Sequence, residues 1–421
     1  MKDKINRYIT YGCSKEFPSI IPVKKTDLSF QECKRVLLDI TNEVIEDNIK
    51  DPQNSIFQCS GGFDSSIIIS KFENVKTFCT CDDSMNDHKY SYMASDHFRT
   101  KHQFISEDEL TDGISIEKLL IEINGINSNP RGYINDLGLY LFVKRIKEQT
   151  DTIVGGEGVE LMYLGYSSMF MNPIHASVWF KDYDIEKANE YSKERRVLTS
   201  SISIDPIKLL NVRKHKGFTS KNYFNLMEWW STGFSTKDIV DLGMEAVQPP
   251  DLCFFDYINY VFRWYGDEFY FDRRLEYANH FGLKWVSPFL DKRFVDFSLT
   301  LPIEMRNCCG QIKYIMYESL GHMLPRFIID RPKEGLVLSF GFYLKRRDEI
   351  YSLVSKYLDT PNAMIYEYLD YAVVKKILSQ FMVQFDFTYL RKVWMLLNLE
   401  MWLLQRGYNE VRISEIGTIK K

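Results

Sequence analysis

A short apolar run, Ser55-Ile56-Phe57-Gln58-Cys59, breaks into Ser60-Gly61-Gly62-Phe63-Asp64-Ser65-Ser66 and resumes as Ile67-Ile68-Ile69. Strand, glycine loop and helix in direct succession admit few folds. The arrangement belongs to open α/β sheets, which bind their ligands at the carboxyl edge of the strands. Gly61 and Gly62 let successive backbone N–H groups converge on one point, and the following helix adds its own unpaired N–H groups and dipole. The result is an anion nest. Ser60, Ser65 and Ser66 supply hydroxyl donors, and Asp64 puts a carboxylate where a divalent cation bound to the anion would need one. No Gly-Lys-Ser/Thr follows, so this is not the loop type in which a lysine reaches the terminal phosphates.

The rhythm continues along the chain. Phe30, Cys33, Val36, Leu37, Ile40, Val44 and Ile45 recur at helical spacing and predict a helix over residues 29–49, capped by Asp27 or Ser29. After the glycine loop the pattern predicts a strand at 75–81, a helix at about 87–100, a strand at 102–105, a helix at 136–149 and a strand at 152–154. That last strand runs into a second glycine turn, Gly155-Gly156-Glu157-Gly158. Alternating strands and helices predict an α/β fold, a parallel sheet flanked by helices. The remainder is mainly helical and aromatic, closing on an apolar run at 393–402 that reads as a buried helix.

Lys and Arg number 53 against 57 Asp and Glu, a formal net charge of −4. So balanced a chain is not organised around polyanion binding, which argues against a nucleic-acid partner. No run of about eighteen apolar residues is present, and the first seven residues carry both charge signs, so neither a membrane span nor a secretory signal is expected. Eight cysteines without a paired CxxC pattern read as reduced thiols of a cytoplasmic protein. Cys79 and Cys81, and the pair Cys308-Cys309, read as core thiols on a strand and in a loop.

The residues from Ser60 to Ser66 resemble the SGGxDS loop of the PP-loop ATP pyrophosphatases, which cleave ATP between its α and β phosphates. Further segments narrow the resemblance. Ile153-Val154-Gly155-Gly156-Glu157-Gly158 through Gly165-Tyr166 is similar to the VLSGEGxDExxxGY segment of the asparagine synthetase family. Phe271-Asp272-Arg273 and Ser287-Pro288-Phe289-Leu290-Asp291 resemble its DR and PFLD stretches. Leu324-Pro325, Ile328 and Arg331-Pro332-Lys333-Glu334-Gly335 resemble its LPxxIxxRpKxGF segment, and the helix from Trp394 to Trp402 is similar to its last helix. The matches keep the family's order from about residue 30 to 407. They imply a PP-loop synthetase domain at 55–345, preceded by a short extension and helix at 1–54 and followed by a helical region at 346–421 packed on it.

The resemblance implies an ATP-dependent, AMP-forming amide ligase. A carboxylate attacks the α-phosphorus, pyrophosphate leaves into the Ser60–Ser66 nest, and a nitrogen nucleophile displaces AMP. Lys333 is the candidate for stabilising charge in both transition states, and Glu157 for accepting the amine's proton. The resemblance also places Mg2+ between Asp64 and Glu160, and Thr80 with the backbones of Cys59, Gly155 and Gly156 near the nucleoside.

Three departures concern the acceptor. The family's Asp-Glu pair is Glu160-Leu161, its Glu-x-Arg before PFLD is Lys284-Trp285-Val286, and its Leu-Arg-Glu is Met316-Tyr317-Glu318. These changes argue against free aspartate as acceptor. The family's N-terminal glutaminase, with its nucleophilic cysteine after the initiator Met, has no counterpart in the roughly 54 residues before the loop, so no glutaminase is expected in cis. The leading expectation is an amide in a specialised product such as a macrolactam peptide. A cleft formed by Trp229, Trp230, Phe254, Phe255, Tyr257 and Tyr260 would admit a peptide, with a leader-peptide-binding protein as partner. The alternative is amidation of a carboxylated sugar or other small acid with ammonia from a partner. From other classes come a PP-loop RNA-modifying enzyme and a non-catalytic relative.

Overall fold

The computed structural model describes residues 1–12, 14, 16, 18–81, 86–163, 184–193, 232–245, 252–263, 271–308, 311–331 and 338–418. Helices α1 (Lys2–Tyr11) and α2 (Phe30–Asn48) precede the sheet. Ser29 caps α2: the Glu32 N–H donates to its hydroxyl, and the Ser29 N–H donates to the Glu32 carboxylate at 2.9 Å. Such a reciprocal cap is worth about 1 kcal/mol. The predicted stripe of Phe30, Cys33, Leu37, Val44 and Ile45 is buried, against the helices Lys292–Thr300 and Tyr314–Leu320.

Next come β1 (Ser55–Gln58), α3 (Phe63–Ile69), β2 (Lys76–Cys81), α4 (Asn86–Phe98), β3 (Lys101–Ser106), β4 (Thr152–Val154) and β5 (Lys284–Val286). The strands form one sheet in the order β3-β2-β1-β4-β5, every neighbouring pair parallel. From β1 the chain steps outward to β2 and β3, then crosses to β4 and β5 on the other side. Strand order thus reverses between β1 and β4, and the loops leaving these neighbouring strands meet at the carboxyl edge, where such sheets take their ligands; the helical segments that follow both loops pack in one core. Phe57 pairs with Val154 in register, so the two glycine turns begin side by side.

Both faces of the sheet are covered, as a parallel sheet requires. Phe57, Cys59, Val154 and Val286 enter a core shared with α2 and α3. Ile56, Phe78, Ile105, Ile153 and Trp285 enter the opposite core with the helices Asp136–Ile146, Arg347–Tyr357, Tyr371–Val383 and Phe387–Thr418. Trp394 of the last helix is fully buried, and the α1 residue Tyr8 donates its hydroxyl to the Met395 carbonyl at 2.8 Å. The helical C-terminal part is thus built into the sheet's own core. A short antiparallel hairpin, β6 (Asn307–Cys308) and β7 (Gln311–Ile312), delivers the chain to the helix Tyr314–Leu320.

Cys79 and Cys81 are buried thiols on β2, and Cys308 is buried on β6. Cys13 and Cys309 lie outside the described residues. Among the described residues no helix is long and apolar enough to cross a membrane.

Candidate active site

β1 continues its ladder one residue past its end, the Cys59 N–H donating to the Phe78 carbonyl at 2.8 Å, and the chain then turns away at Ser60. Gly61 takes φ +69°, and a Cβ there would lie 2.3 Å from the Tyr90 carbonyl oxygen. Both the left-handed conformation and the closeness of α4 exclude a side chain. Gly62 caps α3, whose first-turn N–H groups have no helical acceptors by construction. Beside this loop sits the second one. A Cβ on Gly156 would fall 3.1 Å from the Ser65 nitrogen and 3.2 Å from the Asp64 carbonyl carbon, so this glycine lets the two turns touch. Gly155 meanwhile extends β4, its N–H donating to the Val286 carbonyl at 2.9 Å.

Where the loops meet, two carboxylates face one cation. Lys313 Nζ donates to Asp64 Oδ2 at 2.5 Å and to Glu160 Oε1 at 2.7 Å, with the lysine side chain only 4% exposed. Asp64 belongs to α3 and Glu160 to the helical turn Val159–Met162 that follows the second glycine loop. Lys313 is the residue before the helix Tyr314–Leu320 and adopts φ 54°, ψ 26°, a left-handed conformation that costs a non-glycine residue about 1 kcal/mol or more. Its own N–H donates to the Tyr163 carbonyl at 3.1 Å, which ties it to the turn bearing Glu160. Arg306, fully buried, fastens the same turn: it donates to the carbonyls of Met162 at 3.2 Å, Leu301 at 2.9 Å and Leu299 at 2.7 Å. Burial pulls its guanidinium down to about 10.

A divalent cation fits this pair. Asp64 Oδ1 is buried and has no hydrogen-bond partner among the described residues, a costly state for a carboxylate oxygen unless a ligand completes it. Two hard oxygen ligands from separate loops beside an anion nest are the donor set that suits Mg2+ held jointly with phosphates. Ser66 Oγ and Thr80 Oγ1 are likewise buried without partners among the described residues, at the nest and at the carboxyl end of β2. Cys59 turns its thiol into the core near the Ser91 carbonyl, and burial pushes that thiol up to about 12. Only its backbone is available at the crevice.

Glu157 stands at the end of β4, its side chain 7% exposed. Arg274 Nε donates to its Oε1 at 2.9 Å, while Ser287 Oγ and Trp285 Nε1 donate to its Oε2 at 2.6 and 3.3 Å. A carboxylate offers about four acceptor sites. Among the described residues three are filled, which orients the group and leaves room for one further N–H. A cleft of about 250 Å³ adjoins these donors, lined among others by Arg274, Trp285, Ser287 and Leu290.

The structure thus brings together Ser60, Gly61, Gly62, Asp64, Ser65 and Ser66 with Gly155, Gly156 and Glu160, and sets Glu157 beside them. Lys333, with Pro332, Glu334 and Gly335, lies outside the described residues, as do Trp229 and Trp230, Gly165 and Tyr166, and the side chains of Phe254 and Tyr257. Phe255 and Tyr260 do not line an open cleft: they are 2% and 4% exposed and packed in the core. Two site residues escaped the sequence reading. Lys313 follows a hairpin too short to show in the pattern. Arg331 was visible only as part of a motif, yet it donates to the Ser60 carbonyl and to Asp87 and stacks over Tyr90 at 5.2 Å, clamping the nest from outside.

Comparison with known proteins agrees with this geometry. The family model described as asparagine synthase matches residues 58–404. The chain belongs to the asparagine synthase family. Its members are ATP-dependent carbon–nitrogen ligases that use ATP and Mg2+, and the match spans both glycine turns, the carboxylate pair and the last helix as far as residue 404. No curated protein matches the chain.

Proposed function

We propose that this chain is an AMP-forming amide ligase: a substrate carboxylate attacks the α-phosphorus of ATP, the α–β bridging oxygen leaves with pyrophosphate, and an amine or ammonia then displaces AMP from the acyl adenylate. The observation that carries this reading is the convergence of Asp64 and Glu160 on one cation position at the rim of a glycine nest whose own segment, residues 60–66, contains no lysine. A nest that surrounds its anion with backbone N–H groups and hydroxyls suits a leaving pyrophosphate. Mg2+ held by the pair would neutralise phosphate charge when bound. Glu157, held by three donors with one acceptor site to spare, is placed to take an N–H of the incoming amine and then its proton. Lys333 is assigned to the charge that develops on the phosphoryl and acyl centres.

The acceptor is an acid other than free aspartate, and a peptide carboxylate closed by an amine of the same chain is the leading product. Supporting this are Leu161, Val286 and Tyr317, apolar or aromatic where the family carries charge. A leader-peptide-binding partner or a separate ammonia source would follow from which amine is used. The test is product identity by phosphorus NMR, with Mg2+, ATP, a panel of amino-acid and peptide carboxylates, and hydroxylamine as nucleophile. AMP and pyrophosphate in equal amounts are expected. ADP and phosphate as stoichiometric products would remove the assignment.

A further inference from the structure

Lys313 occupies the position that the metal ion itself would take up in charge. Its ammonium lies 2.5 Å from one carboxylate of the pair and 2.7 Å from the other, with little solvent access. We propose that Lys313 is an internal counter-cation that closes the Asp64–Glu160 pair in the nucleotide-free chain, so that a divalent cation binds only together with nucleotide.

The argument is electrostatic. Asp64 and Glu160 come from separate loops and, without a cation between them, would repel across a partly buried gap. The lysine removes that repulsion. A divalent ion entering while the ammonium remains would set like charges a few ångströms apart at reduced dielectric, which is unfavourable. The ammonium has to move first, and it moves only where another anion receives it. Polyphosphate on the Ser60–Ser66 nest is such an anion, next to Asp64 on the same segment. Nucleotide therefore both draws Lys313 off the pair and adds phosphate oxygens to the metal's ligand set. The backbone of Lys313 is held by its bond to the Tyr163 carbonyl and by its place at the start of a helix. Its four-carbon stem can swing while the main chain stays in place.

This inference rests on the proposed reading for the ligand role of Asp64 and Glu160 and for nucleotide at the nest, but it needs neither acid substrate nor turnover. The experiment is Mn2+ binding to the full chain, followed by loss of the free-ion EPR signal, with and without α,β-methylene-ATP and against protein-free mixtures of ion and analogue. Wild type is expected to bind Mn2+ alone at least about tenfold more weakly than with the analogue, and Lys313→Met to bind Mn2+ alone at least about tenfold more tightly than wild type. Equal affinity of wild type and Lys313→Met for Mn2+ alone would overturn the proposal. If Lys313→Met does not fold, Lys313→Arg keeps the charge and should show the wild-type dependence on the analogue. Tight binding of Mn2+ alone by wild type or by Lys313→Arg would overturn it. Asp64→Asn should lose Mn2+ in every condition, and retention would overturn the ligand assignment together with this inference. A chain that shows the predicted Mn2+ pattern yet forms ADP would retain the inference and lose only the reaction.

Discussion

Lys333 stands two residues after an arginine that the structure anchors on the carbonyl of Ser60. If its ammonium meets charge that exists only in the transition states, Lys333→Ala should lower turnover by about two to three orders of magnitude, the usual cost of one preorganised partner. The apparent ATP affinity should change far less. Lys333→Arg should not restore the rate, because a planar guanidinium cannot place a compact charge at the same point. Pyrophosphate release under saturating ATP checks this, and near-normal turnover in Lys333→Ala would return the residue to an ordinary loop lysine. Single residues were legible where the backbone demanded them. Gly61 and Gly156 announce tight turns, and Asp64 follows from the loop. Lys313 and Arg331 were not legible as site residues, because they work by reaching 249 and 271 positions across the sequence, to Asp64 and to Ser60.

Among elements, the nest is only as rigid as what flanks it. α3 has 7 residues, and α4 presses the Tyr90 carbonyl against Gly61 while Arg331 joins Ser60 to Asp87 on α4. Arg331→Met keeps most of the side-chain volume and removes the clamp. It should therefore raise the KM for ATP about tenfold while changing kcat less, since the loop is needed to hold the nucleotide in ground and transition state alike. A fall in kcat with KM unchanged would contradict the clamp. The first four strands of the sheet were legible to within a residue at each end, because glycine turns and apolar runs mark them sharply, whereas β5, three residues long, went unread. The helix at 136–149 ends three residues earlier, at Ile146, as helix ends fray without a capping signal. The helix Ile116–Ile126, capped by Ser115 and buried through Ile116, Leu119, Leu120 and Ile123, went unread in the long gap after β3, though its spacing is helical.

For the whole molecule, alternation of strand and helix implied the parallel sheet but not its order, since the crossover from β3 to β4 depends on which helices cover which face. That order places the β1 and β4 turns together, and the proposed reaction rests on that placement. The aromatic cleft read from the run between Trp229 and Tyr260 does not hold for Phe255 and Tyr260, whose rings are packed in the core. The most direct test of the ligase is acid-dependent exchange of labelled pyrophosphate into ATP, because only a reversible acyl adenylate returns pyrophosphate to the nucleotide. Wild-type protein with Mg2+ and its acid is predicted to exchange pyrophosphate without any added amine, a peptide acid having its own amine blocked, and Asp64→Ala to lose that exchange. Exchange of labelled phosphate instead, with formation of ADP, would contradict the account.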